Sequence, residues 1–242
     1  MKPIFKPVGD SAIQVVFKAE ITPETNTLVT TFATLIKQQL IEGITDMIPA
    51  FCTLLINYDP RITTYDSILG KLEALMALEM QAQKMSSRVF EIPVLYGNEA
   101  GPDLKKIATY ANLSVEEVIQ IHSSRDYLIY MLGFMPGFPY LGGMDTRIHT
   151  PRLANPRLKI PAGSVGIGGE QTGIYPLESP GGWQLLGRTP IKTYDPNREN
   201  PILFHAGDYI RFIPITAQMY EVIEKQVEKN EYEYVSYEKE ES

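Results

Sequence analysis

The segment GFMPGFPYLGGMDTRIHTPRLANPRLKIPAGSVGIGGEQTGIYPLESPGGWQLLGRTP, residues 133–190, decides the fold of this chain of 242 residues. It holds most of the chain's 18 glycines, which separate short apolar stretches such as 164–167 and 183–186. Glycine and proline at such short intervals interrupt helices and favour turns between short strands. The pattern therefore predicts a mainly-β domain whose strands form a barrel.

The first 94 residues have a different pattern, in which two amphipathic segments alternate with short extended ones. Thr22, Pro23 and Glu24 have the order of a helix start, with a cap, a proline at the first position and an acid in the first turn. Apolar residues then recur at helical spacing up to Leu40. A second helix is predicted at about 64–84, and strands are predicted at 13–17, 44–48, 53–58 and 88–94. This βαββαβ order is typical of a ferredoxin-like α+β domain.

These patterns predict a ferredoxin-like α+β domain at 1–94, a mainly-β barrel domain at 95–220 and an acidic tail at 221–242. The tail has eight glutamates and three lysines, so it carries much of the net charge of -7. Its composition favours a short helix that leads into a solvated end. Within the second domain, Ser114 and Glu117 form a capping-box pattern, and the apolar run 127–134 is typical of a buried strand.

The composition argues against several classes of protein. Outside the tail the chain is almost neutral, which is a poor match for nucleic-acid binding. No apolar run has the length of a membrane span, and the N-terminus lacks the pattern of a signal peptide. The single Cys52 excludes a disulfide framework and favours a reducing cytoplasm. His122, His149 and His205 lie far apart in the sequence, so no metal site is predicted.

Catalytic motifs are absent from the sequence. The glycine-rich stretch 163–169 lacks the lysine of a phosphate-binding loop, and neither H-E-x-x-H nor G-x-S-x-G occurs. Ser164 and Ser179 have no base beside them in the sequence. No catalytic residue is therefore predicted.

Cationic, aromatic and amide side chains lie between the glycines and prolines of residues 133–190. Rigid loops lose little entropy on binding, and arginine suits bidentate capture of a carboxylate or phosphate. Tyrosine and tryptophan could wall a pocket for a small anionic amide, and a buried Glu170 could act as a base. Equally, the arginines could tie loops to backbone carbonyls, Glu170 could bind loop amides and Trp183 could belong to the core. The predicted substrate-binding residues are Tyr140, Arg152, Arg157, Glu170, Gln171, Trp183 and Arg188.

Residues 133–190 resemble the signature of the 5-oxoprolinase B-subunit/KipI family, also described as allophanate hydrolase subunit 1. The resemblance extends to GDSA at 9–12, NYDPR at 57–61, IPVLYG at 92–97 and GPDL at 101–104, so it covers the chain except the tail. It implies a ferredoxin-like N-terminal domain and a cyclophilin-like β-barrel domain.

The resemblance also implies a function. Together with a C subunit of related barrel architecture and a further A subunit, family members are ATP-dependent hydrolases that open the cyclic amide 5-oxoproline to L-glutamate. We therefore expect a cytoplasmic B subunit in a complex that uses ATP, with the ATP-binding partner left open. Arg152, Arg157 or Arg188 would hold a carboxylate or a phosphorylated intermediate at the interface with the C subunit.

The alternative that the family offers is a KipI-like inhibitor of autophosphorylation, whose partner is a sporulation-type sensor histidine kinase. Allophanate hydrolysis is not expected, because the chain has no amidase Ser-Ser-Lys signature.

Overall fold

The computed structural model describes residues 3–18, 20–79, 87–133 and 135–239. The chain divides into two compact units, Met1–Met85 and Ser86–Ser242. No helix in the described part of the chain is both long and apolar enough to cross a membrane.

The first unit is a four-stranded antiparallel sheet with two helices. Its strands lie in the order β1-β2-β4-β3. The Thr22 hydroxyl accepts a hydrogen bond from the backbone N–H of Thr25, so the predicted helix cap is confirmed. Phe32 and Ile36 from the first helix and Ile68 and Leu72 from the second are fully buried in one apolar core with the sheet. The elements are β1 (Ile4–Val8), β2 (Ala12–Val16), α1 (Pro23–Gln39), β3 (Ile44–Pro49), β4 (Thr53–Tyr58) and α2 (Tyr65–Glu79).

The second unit is a closed barrel of seven strands, which confirms the predicted barrel. The elements are β5 (Arg88–Tyr96), α3 (Leu104–Ala111), α4 (Val115–Ser123), β6 (Asp126–Leu132), β7 (Pro139–Leu141), a 3-10 turn (Thr146–Ile148), β8 (Arg157–Ile160), β9 (Ser164–Gly168), β10 (Gln171–Ile174), β11 (Ser179–Gly181), β12 (Gln184–Arg188), β13 (Tyr209–Pro214), α5 (Ala217–Glu228) and β14 (Ser236–Glu238). The ring runs β12-β9-β10-β7-β6-β13-β5 and closes where β5 pairs with β12. β8 and β11 form a separate two-stranded sheet.

The predicted βαββαβ order of the first domain is wrong at its last strand. Residues 88–94 belong to β5, which pairs in parallel with β13 inside the barrel. β1, which the prediction omitted, takes the edge position beside β2 in the first unit. The burial of the two strands explains the exchange, because β5 is buried on both faces and β1 is largely exposed. The boundary therefore follows residue 85, not residue 94.

The predicted tail is not a separate solvated segment. α5 begins at Ala217, before the predicted boundary, and β14 pairs antiparallel with β5. The ammonium of Lys239 lies 2.7 Å from a carboxylate oxygen of Asp126 on β6. Tyr232 and Tyr234 pack against the barrel core, which gives this acidic segment apolar anchors that its overall composition hides.

Helix and strand predictions inside the second unit are confirmed. Ser114 and Glu117 exchange side-chain and backbone hydrogen bonds in a capping box at the start of α4. The apolar run from residue 127 forms β6, in which Tyr127 and Ile129 are fully buried.

Candidate functional site

A cavity of roughly 430 Å³ opens in the second unit between β8, β9, β12, α5 and the turn that precedes α3. This volume is within the usual range for small-molecule sites. The polar and charged side chains that line it come from Glu99, Arg157, Lys159, Ser164, Arg188 and Tyr220.

Strand geometry brings the cationic side chains together. Arg157 and Lys159 are two residues apart on β8, so their side chains leave the same face of the strand. Arg188 ends β12 and is paired directly with Ser164, the first residue of β9. The turn before β9 depends on Gly163, whose φ is +80° and whose Cβ, if present, would collide with the carbonyl oxygen of Thr189.

Arg157 has a partner inside the protein. Its Nη2 donates to Oδ1 of Asp103 at 2.8 Å, and its Nη1 donates to the carbonyl oxygen of Trp183 at 3.4 Å. The other carboxylate oxygen of Asp103 accepts from the backbone N–H of Leu185 at 2.7 Å. Asp103 thus joins β8, β12 and the start of α3, and Arg157 acts in part as the loop tie that was the alternative prediction.

Arg188 is held differently. Its Nε donates to the carbonyl oxygen of Ala162 at 2.8 Å, and no carboxylate of the described residues lies within 4.0 Å of it. Lys159 does have a carboxylate partner, Glu178 at 2.9 Å, but both side chains are mostly exposed (78% and 56%). Such an exposed pair contributes little and is easily exchanged.

Trp183 belongs to an apolar cluster on the outer side of the barrel wall and is only 5% exposed. Its ring centroid lies 5.6 Å from that of Phe138 and 6.0 Å from that of Tyr175. The guanidinium of Arg152 lies over the indole at 5.9 Å. The core alternative for Trp183 therefore matches its place in the structure.

The glycines of β9 and β10 make room for this indole. A Cβ on Gly168 would collide with the indole ring, and a Cβ on Gly173 would lie 3.1 Å from it. Gly166 would also be crowded by Trp183. Because neighbouring Val165 and Ile167 point into the barrel core, the alternating glycines lie on the outer face, where the ring packs. The glycine-rich pattern thus has a packing cause.

The other predicted residues lie away from the cavity. Glu170 is exposed in the turn between β9 and β10, so it does not meet the burial condition for a base, and Gln171 begins β10. Tyr140 is half-buried on β7, with its ring centroid 5.2 Å from that of Phe138.

Of the seven predicted residues, only Arg157 and Arg188 line the cavity. Sequence reasoning missed Glu99, Lys159 and Tyr220, and it considered Ser164 only as a nucleophile. The two-residue spacing of Arg157 and Lys159 on a predicted strand was the signal that could have found the lysine.

A buried hydrogen-bond chain crosses the barrel at His122. Tyr96 Oη lies 2.7 Å from its Nδ1, and Thr172 Oγ1 lies 2.8 Å from its Nε2. The Thr172 hydroxyl donates to the carbonyl oxygen of Gly166 at 3.0 Å, so it accepts from an Nε2–H, and Nδ1 accepts from Tyr96. Burial lowers the pKa of His122 to about 3 and raises that of Tyr96. The imidazole is therefore neutral and structural.

No group of three or more His, Cys, Asp or Glu is placed to hold a metal ion within the described ranges.

Comparison with known proteins gives a consistent result. A family model described as "Carboxyltransferase domain, subdomain C and D" matches residues 3–204. The chain is 44% identical over 223 residues to the B subunit of the 5-oxoprolinase of Bacillus subtilis (strain 168), which covers 88% of this chain and 93% of the relative.

Two solved structures are also similar. PH0987 from Pyrococcus horikoshii, a conserved uncharacterized protein, is 47% identical, with a TM-score of 0.54, and covers 90% of this chain and 100% of its own. TTHA0988 is 37% identical, with a TM-score of 0.76 and 85% of this chain covered. This chain spans only 40% of the length of TTHA0988.

Proposed function

The chain belongs to the carboxyltransferase subdomain C and D family, and from that premise we propose that it is the B subunit of an ATP-dependent 5-oxoprolinase. The observation that carries the proposal is the 44% identity to a 5-oxoprolinase B subunit over 93% of that relative's length. The reaction is the opening of the cyclic amide 5-oxoproline to L-glutamate, coupled to ATP hydrolysis, and we assign it to the cytoplasm, where ATP is made.

The cavity is suited to binding and not to bond cleavage by this chain alone. Its lining in the described chain offers three cations and a hydroxyl but no imidazole, and its one carboxylate is Glu99. General acid–base catalysis needs a positioned proton-transfer group beside the reacting atom. We therefore assign ATP binding and the proton transfers to the partner proteins, which the resemblance identifies as the A and C subunits.

The domain descriptions that the resemblance implies form part of the same proposal. Strand order β1-β2-β4-β3 with helices after β2 and β4 is a ferredoxin-like arrangement in which β1 replaces the usual last strand. We propose a cyclophilin-like class for the seven-stranded barrel. That likeness concerns the fold and carries no prolyl isomerase activity with it.

An omission series tests the proposed function. The three proteins are purified separately, and 5-oxoproline-dependent release of ADP is measured with all three and with each one left out. We expect activity only with the full set. Equal activity without this chain would contradict the proposal. Inactivity of the full set, together with inhibition of a sensor histidine kinase by this chain, would favour the KipI-like alternative.

A further inference from the structure

We propose that the cavity between β8, β9 and β12 binds the carboxylate of a small cyclic amide acid, with Arg188 as the contacting cation and Ser164 as a hydrogen-bonding partner. The inference rests on the proposed function, which supplies 5-oxoproline as such an acid. It adds the place where this chain contacts the substrate and the groups that make the contact.

The charges around the cavity favour a ligand with a single negative charge. Arg157 is neutralised by Asp103, and Lys159 pairs with Glu178. Arg188 is the lining cation for which the described chain provides no carboxylate. Glu99 adds a negative charge to the same wall. One uncompensated guanidinium matches one carboxylate, whereas a phosphate group carries a charge of about -2 near neutral pH.

Arg188 is arranged in advance for this contact. The hydrogen bond from its Nε to Ala162 fixes the guanidinium, and no bond from its terminal nitrogens to a described residue is present. A guanidinium that is already oriented loses less entropy when it binds a carboxylate. The register of β12 with β9 sets Ser164 directly beside Arg188.

Ser164 is the second, independent sign of a ligand. Its side chain is almost fully buried, at 2% exposed, and it lines the cavity, yet its hydroxyl makes no hydrogen bond within the described chain. A buried hydroxyl without a partner is unfavourable, so a polar ligand atom in the cavity would complete it.

The rest of the lining suits the body of such a ligand. Leu95, Pro102, Pro161 and Leu185 give the cavity apolar walls that can contact a five-membered ring. Glu99 stands on the same lining and can accept a hydrogen bond from an amide N–H. A carboxylate, an amide and a short apolar ring are the parts of 5-oxoproline that these groups match.

Arg157 has a positioning role in this arrangement. It shares Asp103 with the backbone of Leu185, which is itself part of the cavity wall. Its guanidinium is therefore committed to the protein and leaves the ligand contact to Arg188.

The test uses Arg188→Gln and Ser164→Ala, with Arg147→Gln as the matched control. Arg147 is in the same unit, is 62% exposed and pairs with Asp145 outside the cavity. For each variant, KM and kcat for 5-oxoproline are measured in the three-protein assembly. Binding of 5-oxoproline, L-glutamate and inorganic phosphate to the full chain is measured by calorimetry.

Loss of one charge-assisted contact predicts a rise of KM for 5-oxoproline of about 10- to 100-fold in Arg188→Gln. Ser164→Ala is expected to raise it by about 3- to 10-fold. In both variants kcat falls less than KM rises, and Arg147→Gln equals the wild type. KM values within twofold of wild type in both variants overturn the inference, as does binding of phosphate in preference to either carboxylic acid.

The two proposals fail separately. An active assembly in which neither variant changes KM leaves the proposed function intact and removes the cavity as the substrate site. An inactive assembly removes the function, and the cavity is then judged by the free chain. Binding of L-glutamate that Arg188→Gln abolishes supports the site, and no binding overturns it.

Discussion

Acidification is predicted to destabilise the barrel through His122. The imidazole is fully buried between Tyr96, Thr172 and the ring of Phe212, which it stacks on at 4.5 Å. Its pKa falls from 6.5 to about 3, mainly because burial disfavours the charged form and secondarily because Arg125 is near. The folded state therefore keeps His122 neutral at pH values where the unfolded chain binds a proton.

The sign follows from this difference in proton binding. A lowered pKa in the folded state means that the contribution to stability is complete above pH 6.5 and is lost as the pH falls toward 3. Each pH unit inside that window costs about 1.4 kcal/mol of the free energy of unfolding. Between pH 7.5 and pH 5, above the range in which carboxylates titrate, the loss from His122 is about 2 kcal/mol.

Urea unfolding followed by fluorescence measures this loss, because the chain's single tryptophan, Trp183, is in the same unit as His122. The comparison is with His122→Gln, whose amide has no titration in this range. The variant is expected to be less stable at pH 7.5, but the free energy of unfolding should vary much less between pH 7.5 and pH 5. Equal pH dependence in the two proteins would refute the buried neutral imidazole.

Two further variants test the packing of the barrel wall. Gly168→Ala adds a methyl group that collides with the indole of Trp183, so we expect a loss of about 1–3 kcal/mol in the free energy of unfolding. Gly70→Ala in α2, where nothing lies within 4 Å of the added Cβ, should instead be neutral or stabilise the first unit by up to about 1 kcal/mol, measured by circular dichroism. Asp103→Ala removes the partner of both Arg157 and the Leu185 N–H and should cost about 2 kcal/mol. Unfolding of Asp103→Ala at the wild-type urea concentration would contradict the role given to this carboxylate.

Features set by local chemistry were predictable from the sequence. The caps at Thr22 and Ser114 depend on groups within three residues along the chain, and the structure contains both. The density of glycines in residues 133–190 predicted a barrel because turns and short strands are also local.

Partner choice between strands was not predictable, because it depends on contacts distant in the sequence. Residues 88–94 alternate like a strand of either unit, and only their pairing with β13 and β12 assigns them to the barrel. β14 likewise owes its place to pairing with β5 and to the ion pair of Lys239 with Asp126. The surrounding acidic composition gave no sign of either contact.

The candidate site was half predictable for the same reason. Arg157 and Arg188 stood out as arginines in rigid loops, but Tyr220 and Glu99 reach the cavity from α5 and from the turn before α3. Trp183 looked like a pocket wall because glycines surround it in the sequence. In the structure those glycines make space for its ring, so the same pattern reports packing.

Titration of this chain into a fixed mixture of the A and C subunits, with glutamate formed from 5-oxoproline as the measured product, tests the central claim most directly. The account predicts no glutamate without the chain, a proportional rise as it is added, and a plateau at a fixed ratio to the C subunit. Glutamate formation that is already complete before the chain is added, or that stays at zero throughout the titration, would contradict it.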